Sequence, residues 1–153
     1  SLRVIEQCFT EINLVLRTTP PDVRLYSYLL ALLVALKTVR PKSFALLLDE
    51  LSPLDVNTLL DEIKQELDVS DRVSRWMLAQ FEAYLLFGCL DSERRAESIA
   101  VLRANAGSQN PVERSYAQQV LRFAEKIQYE LYYKEVRSLV SQISLIEELT
   151  ITG

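Results

Sequence analysis

Paired acids, a run of arginines and a cluster of tyrosines are the side chains with the most chemistry to offer. Adjacent carboxylates occur at Asp49-Glu50, Asp61-Glu62 and Glu147-Glu148. Neighbours on a helix point about 100° apart, so such a pair cannot clamp one ion or share one proton, and these read as solvated faces. The chain holds no histidine. That removes the commonest general base, the commonest metal ligand and the side chain that titrates near neutrality, and with them most hydrolase triads. A di-metal helical bundle built on Glu-x-x-His pairs fails for the same reason. Cys8 and Cys89 lie far apart in sequence, without the short spacings of a zinc site or a redox pair, and read as small buried hydrophobes in a reducing, cytoplasmic compartment. No glycine-rich loop followed by Lys and Ser or Thr is present to cradle a triphosphate. No catalytic or metal-binding residue can be assigned.

Arg94, Arg95, Arg103, Arg114 and Arg122 leave two readings open. Spacings of eight return 95 to 103 and 114 to 122 to similar helix faces, which makes a stripe able to bind phosphate or an acidic partner. Glu93, Glu97, Glu113 and Glu125 on the same stretches would instead pair with them. Tyr129, Tyr132 and Tyr133 also cluster at helical spacing. A half-exposed tyrosine set suits a protein interface and equally suits core packing; stacking on bases, with the arginines as an electrostatic groove, has the right residue types but is the weakest of the three readings.

Composition bounds what such groups can be mounted on. The 153 residues contain 17 basic and 21 acidic side chains, 49% hydrophobic residues, three glycines and five prolines. A chain of this length buries enough surface for a core without disulfides or metals, and its composition excludes a disordered or fibrous protein. So few turn residues beside 27 leucines leave little room for an all-β fold. The net charge of -4 argues against neutralising nucleic-acid phosphates, and so against nucleic acid as a partner. The longest greasy stretch, Leu25 to Leu36, falls short of the roughly 20 residues needed to span a bilayer. An opening at Ser1 that enters an amphipathic pattern at once is unlike a signal peptide and reads as part of a longer protein.

The pattern predicts helices throughout. Leu2, Ile5, Phe9, Ile12 and Leu16 place a helix near 2–18, closed by Thr18-Thr19-Pro20-Pro21-Asp22. Asp22 is positioned to cap a second helix near 23–39 that is apolar almost all round and belongs in the centre. Phe44 to Leu51 gives a short helix after Arg40-Pro41. Ser52-Pro53 starts another that runs to about Leu67. Val73, Met77, Leu78, Phe81, Tyr84 and Leu85 mark a strongly apolar helix that ends before Gly88. A helix over 92–106 stops at Gly107. From Asn110-Pro111 the pattern extends past Ile143 as one long helix, or as two with a break near Tyr133, and the single helix is preferred. Glu147 to Gly153 lose periodicity and read as a frayed tail, with a strand over Leu149-Thr150-Ile151-Thr152 as the alternative.

Ser1-Leu2-Arg3-Val4-Ile5-Glu6-Gln7, continuing through Leu14-Val15-Leu16-Arg17-Thr18 into Tyr26 and the leucine-rich second helix, resembles the segment downstream of the nucleotide-binding core in KAP-family P-loop NTPases, a branch of the STAND-like NTPases. The resemblance covers about the first 50 residues. It implies an accessory region acting as lid, partner surface or signal transmitter, with the NTPase core as partner and ATP and magnesium belonging to the parent protein. It also implies that Arg3, at the start of a lid helix, reaches the nucleotide's phosphates. The expectation is an all-α single domain over 1–153, an irregular bundle of six or seven helices. Its function would be non-catalytic: an accessory domain of a KAP-like NTPase, or a free-standing scaffold that holds a peptide or helix in a groove lined by exposed tyrosines and leucines. A protein partner or a homo-oligomer fits either.

Overall fold

The computed structural model describes residues 2–23, 27–49, 51–66, 70–128 and 136–152. The fold is all-α, with eight helices among those residues: α1 (Leu2–Thr18), α2 (Ser27–Val39), α3 (Pro41–Leu46), α4 (Pro53–Glu66), α5 (Arg72–Gly88), α6 (Ser92–Asn105), α7 (Pro111–Gln128) and α8 (Val136–Thr152). They group into two compact units: Ser1–Asp49 with Tyr132–Gly153, and Glu50–Leu131. No helix among the described residues is long and apolar enough to cross a membrane.

In the first unit α2 packs against α1, α3 and α8. Leu29, Leu30, Leu33, Val34 and Leu36 are all buried, as a helix without a polar face requires. α8 contributes Val136, Leu139, Val140, Ile143 and Ile146. The residues of α1 that turn inward are Val15 and, in the same rows, the half-buried Val4 and Cys8 and the buried Glu11. Glu11 is tolerated there because Lys37 of α2 is buried with it: Nζ lies 3.4 Å from Glu11 Oε1 and donates to the Ile143 carbonyl at 2.9 Å. Glu11 Oε2 is buried without a hydrogen-bond partner. The Gln142 amide of α8 donates to Thr18 Oγ1 at 2.6 Å and to the Val15 carbonyl at 3.3 Å, a carbonyl that also accepts from the Thr19 hydroxyl at 2.6 Å, and so ties α8 to the end of α1.

The second unit is built round α5, which buries Leu78, Ala79, Phe81, Ala83, Tyr84, Leu85 and Leu86. α7 lies along it, presenting the small buried Ala117, Val120 and Ala124 at a 3–4 spacing that lets the helices approach closely. Trp76 and Phe123 meet edge to face, with ring centroids 5.5 Å apart. The helix starts are chemically explicit. Ser52 and Asp55 cap α4 reciprocally, the Asp55 amide donating to Ser52 Oγ at 3.1 Å and the Ser52 amide to Asp55 Oδ2 at 2.9 Å. Asp71 accepts from the Ser74 amide, Asp91 from the Arg94 amide and Asn110 from the Val112 amide.

Several boundaries differ from the sequence reading. The short third helix begins at Pro41 rather than Phe44, because proline is pre-organised for a first turn and the Phe44 amide reaches the Arg40 carbonyl at 3.0 Å. It gives way to turns after Leu46, short of Leu51. Ala106, not Gly107, caps α6, and Gly107 has no left-handed backbone. The expected frayed tail is helical to Thr152, as its Leu, Ile and Glu residues favour. The pattern after Asn110 is carried by α7 and α8, and the break near Tyr133 falls outside the described residues. So does the junction of Asp22 with α2.

Candidate functional site

A groove of about 840 Å³ opens in the second unit, walled by α4, α6 and α7 over α5. Its apolar lining includes Val56 and Leu60 from α4, Leu78 and Leu86 from α5, and Val101 and Leu102 from α6. Helical periodicity places the α4 and α5 members, since 56 and 60, and 78 and 86, are one and two turns apart on a face; Val101 and Leu102 are neighbours, the first exposed and the second buried. Around them stand Asp61, Glu82, Glu97 and Glu113 against Lys64 and Arg75, an acidic majority.

Glu82 is the unusual member. It is half-buried on an otherwise apolar stretch of α5, and the Tyr116 hydroxyl of α7 donates to its Oε2 at 2.6 Å. Burial pushes the Glu82 carboxyl above its ordinary value; the Tyr116 hydrogen bond and the charge of Lys64 only partly oppose that. The Tyr116 phenol is raised further still, by burial and then by the negative charge beside it. Tyr116 is therefore a neutral donor at physiological pH and cannot serve there as a base. Lys64 Nζ sits 6.0 Å from the Tyr116 ring centroid, at the outer reach of a cation–π contact, and 3.8 Å from Asp61. The arrangement offers a partly desolvated carboxylate held by a neutral group beside apolar surface, which suits a cationic group carried on an apolar ligand.

The residues singled out from sequence are distributed differently. Arg94 and Arg95 are committed to the protein: Arg94 donates to the Leu51 carbonyl at 3.1 Å and lies 3.7 Å from Asp91. Arg95 donates to the Leu86 and Leu90 carbonyls near the end of α5 and stacks over Phe87. Arg114 donates to the Ser108 carbonyl, while Arg103 and Arg122 are exposed. The arginine stripe is thus divided between structural and surface roles, and the pairings imagined with Glu93, Glu97, Glu113 and Glu125 are not among the ion pairs of the described residues. Tyr129, Tyr132 and Tyr133 lie outside the described residues, as do Glu50 and the side chains of Glu147 and Glu148. Asp61 is exposed on α4, and Arg3 is exposed on the first turn of α1. Cys89 is buried; Cys8 is half-buried, with its thiol 3.6 Å from Thr38 Oγ1. No group of three His, Cys, Asp or Glu side chains among the described residues is placed to hold a metal ion.

The Glu82–Tyr116 pair was not singled out from sequence, because its members are 34 positions apart and Tyr116 reads simply as part of an apolar pattern. The available signal was Glu82 itself, a lone acid between Phe81 and Ala83 in the most apolar part of α5. Compared with protein-family models, with curated proteins and with solved structures, the chain matches none of them.

Proposed function

We propose that this chain is a non-catalytic interaction module whose α4–α7 groove takes an amphipathic peptide or helix bearing a basic side chain. The observation that carries the reading is Glu82, an acid set into apolar surface with a neutral phenol as its hydrogen-bond partner. A helix docking by its apolar face would anchor between α4 and α6, with its Lys or Arg meeting Glu82 and the acidic rim. The test is fluorescence-anisotropy titration with a labelled 16-residue Leu/Lys amphipathic helix. Binding should weaken about 10-fold in Glu82→Gln, from loss of a charge-assisted hydrogen bond. It should be abolished by Val101→Asp, a substitution at an exposed lining position that leaves the core alone. Equal affinity across the three proteins would remove the groove as the site.

A second reading follows the resemblance to KAP-family NTPases, and exposure of Arg3 at the start of α1 is the observation that favours it. In it the chain is an accessory region, and Arg3 answers a nucleotide phosphate held by an NTPase core; ATP and magnesium belong to that core. A positive charge near a helix N-terminus is unfavourable by about 0.3–1 kcal/mol, which an external anion would offset. Arg3→Glu in a chain joining this region to such a core should lower ATP turnover without altering the fold. Unchanged turnover would dispose of the role.

A further inference from the structure

α1 carries two apolar faces and uses only one of them within its own unit. The inner face, Val4, Cys8, Glu11 and Val15, meets α2 and α8. Beside it Leu2 is 72% exposed, Ile5 53%, Phe9 64% and Leu16 53%, with Ile12 half-buried among them. Positions 2, 5, 9, 12 and 16 follow one another at alternating steps of three and four. That is an unbroken a/d heptad series, whose 3.5-residue period stays in register only along another helix. A flat sheet or an irregular loop would not follow it.

We infer that this seam pairs with α1 of a second copy of the chain, making a two-helix coiled coil at the dimer axis. Charge and area select that occupant. The cations of α1, Arg3 and Arg17, occupy b positions away from the seam, and Glu6 is the one charged residue at its e and g flanks, which otherwise hold Asn13, Cys8 and Val15. In the antiparallel arrangement Phe9 layers against Ile12 and Ile5 against Leu16 of the second copy, each twice by symmetry, and Glu6 comes beside Asn13 instead of its own counterpart. No like charges face each other across the two-fold. The exposed fractions of these five side chains, of which Leu2 lies beyond the last paired layer, amount to about 500 Å² per copy, so the pair buries at most about 1,000 Å², the threshold of a specific interface. The dimer is therefore a dissociable one, with a dissociation constant of roughly micromolar order. This inference is independent of the groove, which lies in the other unit.

Sedimentation equilibrium of the whole chain from about 1 to 200 µM tests it, with circular dichroism and a thermal melt of each protein at the lowest concentration. The expected result is a monomer–dimer equilibrium that Phe9→Glu weakens by at least about 30-fold, the cost of losing a central anchor, with helicity and the low-concentration melt unchanged. Val101→Asp should leave the equilibrium untouched while abolishing peptide binding, so that the two readings fail separately. A chain monomeric throughout overturns the inference, and so does a dimer that Phe9→Glu leaves intact. A lowered monomer melting point in Phe9→Glu would mean that the chain itself covers the stripe, which also overturns it. Binding to anionic vesicles that depends on Phe9, without dimerisation, would assign the face to a membrane surface instead.

Discussion

Glu11 and Glu82 are both carboxylates drawn in among helices, one in each unit, and they are accommodated by opposite means. Glu11 meets a cation, Lys37, that is as buried as itself, and the pair joins α1 to α2 and, through the Ile143 carbonyl, to α8. Glu82 meets a phenol, which supplies a hydrogen bond and no charge. A buried charge paired with its opposite is electrically spent and serves to fix the positions of helices. A carboxylate hydrogen-bonded by a neutral donor, with Lys64 acting on it without forming an ion pair, keeps much of its field, and next to apolar lining that field is what a cationic ligand would recognise. The same residue type thus acts as scaffold in one unit and as a candidate recognition element in the other.

The sharpest way to break the comparison is to remove the cation. Lys37→Ala leaves Glu11 buried and uncompensated, and should cost about 3–5 kcal/mol in urea unfolding. Replacing both partners, Glu11→Leu with Lys37→Leu, should return stability to within about 1 kcal/mol of the parent or above it. A double variant as weak as the single would show that the pair matters for more than mutual neutralisation.

Tyr116→Phe applies the same operation to the other unit and should cost less, about 1–3 kcal/mol, because it removes a hydrogen bond rather than a countercharge. It should also raise the Glu82 carboxyl further, which NMR titration of the side chain would follow. The smallest effect belongs to Glu82→Gln and is seen in its pH dependence. The folded carboxyl binds its proton more tightly than the unfolded one, whose ordinary value is 4.5, so its favourable contribution is full below that value and is lost as pH rises through the folded value. Glutamine has no such loss. Thermal midpoints of parent and variant should therefore diverge from about pH 4.5 towards neutrality, with the variant the more stable at pH 7. Parallel curves would mean that the carboxyl is effectively solvated.

The helical architecture was legible because its determinants are local. Ser52-Pro53 and Asn110-Pro111 mark the starts of the helices they open, and the leucines of α2 could only be central. Facing was less legible. In α1 the regular stripe that identifies the helix, Leu2 to Leu16, is the one left outside, whereas the inner face includes a glutamate whose presence makes sense only once Lys37 is known to lie opposite. Arg94 and Arg95 looked like surface charge, but the chain turns back at the end of α5 and brings them to open carbonyls. The groove depends on residues from four helices, and no short segment of sequence encodes that convergence.

The amide of Gln142 and the ammonium of Lys37 also set an order of events. Lys37 and its acceptor Ile143 are separated by 106 positions, with all of α4–α7 between them. On a ribosome adding about 5–20 residues per second, α2 would emerge roughly 5–20 s before the helix that completes its burial. During that interval the intervening helices have everything they need to assemble, while the greasiest helix of the chain waits without its last neighbour. Nascent chains arrested before α8 should accordingly recruit chaperones through α2, and release of that grip should coincide with synthesis of the last helix.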